Sequence, residues 1–216
     1  MIGSMTTFFI FILFLIILIL ILSPRRDGVR RDRTELMVER ELTRVLTRRG
    51  YVVFGDLIIP SVSKRIKSTQ IDHVIISMYG IFCIETKSHQ GNIYGGFRRK
   101  YWTQYLGRSK YEVYNPIRQN NHHVASLEHI LRSRLKAPIH SYLIFPYARS
   151  IKIDGQRKNF SVRHTIDRIL RHERPVYTPE DVEAIAKGLA LVSEHTDNFK
   201  GDHVDAVREY INYQNR

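Results

Sequence analysis

Residues 71–87 read IDHVIISMYGIFCIETK. Two short apolar runs flank Ser-Met-Tyr-Gly, and runs of that length closed by a tight turn dictate an antiparallel hairpin. A turn centred between Met78 and Tyr79 sets Asp72 opposite Glu85, Val74 opposite Cys83 and Ile76 opposite Ile81. Alternation sends all six to one face, and Lys87 follows on the same side. His73 and Thr86 face the other way. The two acids then become cross-strand neighbours with Cβ atoms about 5 Å apart, where like charges repel. Either one carboxyl takes up a proton or a cation sits between them. Two carboxylates at that spacing make a hard-oxygen site suited to Mg²⁺ or Mn²⁺. A cation there can activate water, and the adjacent ammonium can stabilise charge developing on a phosphate. That chemistry is phosphodiester hydrolysis. The competing reading is a surface strand carrying ordinary salt bridges.

The flanking sequence supplies elements to cover such a hairpin. Residues 34–50 place Leu36, Val38, Leu42, Val45 and Leu46 at helical spacing, with Thr34 as expected cap and Gly50 as stop. YVVFGDLIIP reads as extended, and residues 61–69 as a basic loop or ragged strand. GNIYGGFRRKYWTQYLGRSKYEVYNP suits a twisted hairpin with a basic face. Residues 115–135 read as a second helix, IHSYLIFPYA as a buried strand and NFSVRH as a shorter one. TIDRILRHE, TPEDVEAIAKGLALVSEH and DHVDAVREYINYQ read as helices, the second with Thr178 as cap and Pro179 in first position.

Phe8–Leu22 is wholly apolar, and no charged side chain precedes Arg25. Such a run covers most of a hydrocarbon layer about 30 Å thick. Residues 5–22 are therefore expected to sit in a lipid bilayer as an uncleaved single-pass anchor. Arg25, Arg26, Arg30, Arg31 and Arg33 follow directly, so the positive-inside rule puts the body in the cytoplasm, at the cell membrane. The formal charge of +13 favours phosphate-rich partners, and lipid headgroups have the first claim on it. Cys83 is the single cysteine, which excludes an intrachain disulfide and a cysteine-built zinc cluster. It reads as a small buried hydrophobe.

QIDHVIISMYGIFCIETKSHQGNIYG, YWTQY and NPIRQNNHHVASL together resemble the nuclease-related domain, a family of the restriction-endonuclease-like PD-(D/E)xK nucleases. The resemblance covers roughly residues 34–146. It implies an α/β fold with a central mixed sheet flanked by helices, a divalent metal on Asp72 and Glu85, and catalytic roles for Asp72, Glu85 and Lys87. It also implies a first-helix acid. Glu39 matches that position, with Val38 where glycine is common, and Glu35 and Glu41 compete for the role. Asp72 follows isoleucine where the wider superfamily has proline. Gln104, Asn115, Gln119 and Asn120 match further family positions, where amides bind phosphate or orient water; Asn115 reads equally as a helix start. Arg98, Arg99 and Lys100, with Arg108 and Lys110, are the candidates for backbone contacts. Phe97, Tyr101 and Tyr105 interleave with them and suit base stacking. Trp102 reads as core. None of the ten histidines reads as a ligand.

The expected organisation is an anchor at 1–24, a basic linker at 25–33, the nuclease-related domain at 34–150 and a mostly helical extension at 151–216. The expected function is metal-dependent nucleic-acid hydrolysis, DNA favoured over RNA. The alternative is a non-catalytic nucleic-acid-binding or membrane scaffold protein of the same fold. Oligomeric state leaves no trace in the sequence.

Overall fold

The computed structural model describes residues 32–196 apart from Lys64. The expected anchor, the linker arginines before Asp32 and the helix at DHVDAVREYINYQ lie outside the described residues. Among the described residues no helix is long and apolar enough to cross a membrane.

The fold is mixed α/β, with two mixed sheets and four helices among the described residues. In chain order the elements are α1 (Arg33–Leu46), β1 (Val52–Pro60), β2 (Ser68–Ser77), β3 (Gly80–Thr86), β4 (Gly91–Gly95), β5 (Tyr101–Leu106) and β6 (Ser109–Tyr114). They continue with α2 (Pro116–Leu131), β7 (His140–Ile144), β8 (Ala148–Ile153), β9 (Gln156–Lys158), α3 (Val162–Leu170) and α4 (Pro179–His195). The first sheet has strand order β1-β2-β3-β7, and the second β6-β5-β4-β8-β9. The sequence suggested one central sheet. In the structure the parallel pair β3–β7 breaks after Thr86 and Ile144 and resumes as the parallel pair β4–β8. The site forms at that break.

The first sheet is buried on both faces. Ile75, Phe82 and Ile84 pack against Val38, Leu42 and Leu46 of α1 and Ile166 and Ile169 of α3. Val74, Ile76, Ile81 and Cys83 face Leu127, Ile130 and Leu131 of α2 and Val182, Ile185 and Leu189 of α4. Helices on both sides explain why β2 and β3 are near-continuous apolar runs rather than alternating ones. At about 25 cal/mol per Å² of apolar area removed from water, this three-layer core is the main stabilising contribution.

Local chemistry fixes the helix ends. Asp32, rather than the expected Thr34, caps α1: its Oδ1 accepts the Thr34 N–H at 3.0 Å, and Thr34 is buried. A short 3₁₀ turn then ends on Gly50 at φ 81°, a conformation that suits glycine. Thr178 and Asp181 form a capping box on α4 with Pro179 in the first turn.

The residues after 150 are less purely helical than expected. NFSVRH is not a strand, because Ser161 caps α3 and Val162 begins it. The strands lie just before, in β8 and β9, joined by Asp154 and Gly155 at φ 47° and 79°. Asp-Gly with both φ values positive is the favoured two-residue hairpin turn.

Candidate active site

Asp72 sits where β2 loosens from both neighbours. Pairing with β3 runs from Ser77↔Gly80 through Val74↔Cys83 to His73↔Ile84 and stops there. This is the register that the turn at Met78–Tyr79 dictates. Beyond it, the Thr86 N–H donates to Asp72 Oδ2 at 2.7 Å, so a carboxylate replaces a ladder carbonyl. On the other side the pairing passes from Gly55↔His73 to Leu57↔Ile71, and Asp56 between them adopts φ 57°. A non-glycine residue in that region is uncommon, and aspartate tolerates it better than most. Both irregularities fall at the level of Asp72.

Glu85 is 1% exposed and ends the same hairpin. Its Oε1 accepts from Lys87 Nζ at 2.6 Å, and the same ammonium donates to Gln119 Oε1 at 3.0 Å. Glu85 Oε2 faces His123 Nε2 at 3.1 Å, and neither atom has a hydrogen bond of good geometry. The other ring nitrogen of His123 bonds Thr69 Oγ1 at 2.9 Å. On the opposite face His73 Nε2 and Thr86 Oγ1 lie 3.1 Å apart, as alternation requires.

Burial raises the Asp72 carboxyl to about 8, and the charges of Glu85 and Glu35 push in the same direction. The Thr86 N–H and the Lys87 ammonium oppose the rise without cancelling it. Burial first, then the two acids, also pushes the Cys83 thiol well up, which leaves it un-ionised. Of the first-helix acids, Glu35 has a charge that helps to raise the Asp72 carboxyl. Glu39 lies one turn further along α1 and is partly exposed. The Thr34 N–H, first among its neighbours, holds the carboxyl of Asp32, the α1 cap, below its ordinary value, and the side chain of Ser88, next to Lys87, acts in the same direction.

The family model for the nuclease-related domain matches residues 30–146, more than half of the chain. The chain belongs to the nuclease-related domain family. That family lies within the restriction-endonuclease-like superfamily, so at family level the chain is nuclease-like. An uncharacterized protein of Bacillus anthracis is 33% identical over 101 residues, 47% of this chain. The chain spans about half of that relative, 46% of its length. No solved structure matches.

Within the nuclease-related domain, Asp72 and Glu85 are the residues that could hold a divalent cation. Among the described residues no three His, Cys, Asp or Glu side chains cluster as a complete protein cage. Mg²⁺ commonly takes only one or two carboxylates and keeps several waters. The donor set fits on that basis. A raised carboxyl beside a second acid, with Glu85 Oε2 lacking a hydrogen bond, is the electrostatic condition that a hard cation relieves.

The remaining expected residues divide. Gln119 joins the site through Lys87. Gln104 donates to the Gln90 carbonyl at 2.8 Å, in the segment linking β3 to β4. Arg98, Arg99 and Lys100 are exposed in the β4–β5 connection. That connection joins the ends of β4 and β5 opposite Gly91, hence away from the sheet break. Asn115 and Asn120 are fully buried. Asn115 caps α2 and donates to the Arg99 carbonyl at 2.7 Å, which fixes the basic loop. Asn120 donates to Ser141 Oγ and to the carbonyls of Cys83 and Tyr142, and so ties α2 to β3 and β7. Trp102 is core, its indole N–H bonded to the Gly96 carbonyl at 3.1 Å.

Sequence reasoning missed His123. His122 and His123 are neighbours on a helix and point apart, and only His123 is buried against the site. Its partner Thr69 lies on β2 three residues before Asp72, and no local pattern links it to residue 123.

Proposed function

We propose that this chain is a metal-dependent nuclease that hydrolyses phosphodiester bonds, with DNA as substrate, and that its apolar N-terminus anchors it to a membrane. The observation that carries the proposal is the convergence of Asp72, Glu85 and Lys87, with the Asp72 carboxyl raised to about 8. Clustered acids would repel a phosphate unless a cation intervened, so a pure nucleic-acid binder gains nothing from them.

Asp72 and Glu85 would hold Mg²⁺ or Mn²⁺, which when bound supplies Lewis-acid charge and lowers the pKa of a coordinated water. Lys87, held by Glu85 and Gln119, presents an ammonium to charge building on the phosphate. With its value raised to about 8, the Asp72 carboxyl would hold a proton at neutral pH, and a cation at Asp72 and Glu85 would favour its loss. Glu35 completes the acidic side, and Glu39 is the acid the family pattern selects. Arg98, Arg99 and Lys100 give sequence-independent backbone contacts. Anchoring through residues 5–22, with the arginines after the span holding the body in the cytoplasm, follows from sequence.

The deciding experiment uses the full chain in lipid nanodiscs with linear, nicked and single-stranded DNA and with RNA. Mg²⁺, Mn²⁺ or EDTA is added, and Asp72→Ala and Lys87→Ala run in parallel. Metal-dependent cleavage absent from both variants is expected. Binding without cleavage under every metal would sink the nuclease proposal.

A further inference from the structure

The second sheet has one face in the core and one in solvent. Ile93, Trp102, Ile151 and Ile153 point inward with Phe145 and Leu143. The strand registers place Tyr94, Thr103, Tyr101 and Tyr105 on the outward face. They add Lys110, Glu112 and Tyr114 from β6 and Lys152 and Arg157 from β8 and β9.

The four tyrosines are 40–46% exposed, which is unusual for large rings on a sheet face. They form two pairs. Tyr94 and Tyr105 meet edge-on with centroids 5.7 Å apart, and Tyr101 and Tyr114 do so at 6.1 Å. Cations sit among them: Lys152 Nζ lies 6.0 Å from the Tyr94 ring centre, and Lys100 Nζ 5.2 Å from that of Tyr101. Glu112 is the single acid that these registers place on the face.

We infer that this outward face binds single-stranded nucleic acid, with the four tyrosines as base-stacking platforms and Lys100, Lys110 and Lys152 as phosphate contacts. Three observations favour that occupant. Ring faces with interspersed cations accept every base and neutralise the backbone, whereas a duplex hides its bases from such a surface. The excess of cations over acid complements a polyanion. Tyr101 to Tyr105 spans about 14 Å along β5, room for more than one base to lie against the sheet. Moreover, the Tyr105 end of β5 pairs with the start of β4, next to the segment that follows Lys87. A strand on this face therefore leads toward the sheet break, and the inference deepens the proposed function by making single-stranded or frayed nucleic acid the preferred substrate.

The test measures binding apart from cleavage. The full chain carrying Asp72→Asn, in nanodiscs, is titrated onto a fluorescent twelve-base oligothymidine and onto a blunt duplex of equal length, read by anisotropy. Tighter binding of the single strand is expected. Tyr101→Ala with Tyr105→Ala should weaken it about tenfold or more. Tyr101→Phe with Tyr105→Phe should keep the affinity, because stacking needs the ring and not the hydroxyl. Lys110→Gln and Lys152→Gln should each reduce the slope of log affinity against log salt by roughly 0.7. Unchanged single-strand affinity in the double alanine variant, with its circular dichroism intact, would overturn the inference, as would preference for the duplex. Stacking-dependent binding by a wild-type protein that cuts nothing would leave the face standing and remove the nuclease proposal. Cleavage by a protein whose tyrosines do not matter would do the reverse.

Discussion

His123 Nε2 lies 3.1 Å from Glu85 Oε2, with the opposite ring nitrogen bonded to Thr69 at 2.9 Å. A helix and two strands thereby bring a histidine ring up to one carboxylate from a side that the hairpin alone does not supply. Groups that orient a ligand typically change metal affinity by about 10–100-fold. His123→Ala should therefore raise the Mg²⁺ concentration for half-maximal cleavage by about tenfold or more. Thr69→Val should do so by less, since it frees the ring without removing it. A drop in maximal rate with the metal midpoint unmoved would refute this positioning role.

The Asp72 carboxyl gives a stability signature with a definite sign. Its folded value of about 8 lies above the ordinary 3.8. Between those values the folded protein holds a proton on Asp72 that the unfolded chain has lost, so the contribution of this group to the stability of the metal-free protein falls as pH rises from about 4 to about 8. Asp72→Asn should abolish that slope and melt higher than wild type at pH 8 without metal. Mg²⁺ should raise the melting temperature of wild type at pH 8 and leave the variant unchanged. Thermal melts in EDTA and Mg²⁺ across the pH series check both statements.

Glu35 and Glu39 make separable contributions. Glu35→Gln removes a charge that raises Asp72, so it should shift the pH at which Mg²⁺ binding becomes half-maximal downward. Glu39→Gln should lower cleavage without that shift. Calorimetric Mg²⁺ titrations at several pH values distinguish them, and equal midpoints in wild type and Glu35→Gln would exclude an electrostatic role for Glu35.

Asn120 donates to three acceptors from full burial. Asn120→Ala leaves them without that donor at a cost of about 1–3 kcal/mol, because a buried unpaired polar group forfeits its hydration. Urea unfolding should show the loss. Single-strand binding on the distant tyrosine face should be unaffected.

Gly95 presses against the Trp102 ring, and a Cβ there would meet indole carbons at 2.4 Å. Gly95→Ala should displace the ring and destabilise the fold by about 1–3 kcal/mol, the usual range for overpacking. Trp102 is the sole tryptophan, so its emission should shift red. An unshifted spectrum would mean that the second sheet accommodates the methyl by moving as a body.

What the sequence disclosed follows the range of its patterns. The Asp72–Glu85 hairpin was legible because a short turn leaves one register that buries Val74, Ile76 and Cys83 together. Thr178 and Pro179 announced α4 through local chemistry. The second sheet was not legible as a sheet, because β4 and β8 pair across more than fifty residues and only their alternation is local. Asp154-Gly155 did carry a hairpin signal, with Ile151 and Ile153 alternating before it, whereas Phe160 and Val162 alternate just as a strand would and instead flank the Ser161 cap of α3. His123 was hidden for a different reason: helical neighbours say which way a side chain points, not what strand lies beneath.

Asp32, the α1 cap, is the first described residue. Leu22, the last residue of the apolar run, is ten residues upstream, so a fully extended leash between them measures at most about 35 Å. If the proposed anchoring holds, with the run seated in a bilayer, the start of the folded body would stay within about that distance of the lipid surface. Nucleic acid would be cut there as it crosses or skims the membrane and spared in the cell interior. On that proposal, lengthening the leash would deepen the layer of nucleic acid within reach without altering one atom around Asp72 and Glu85.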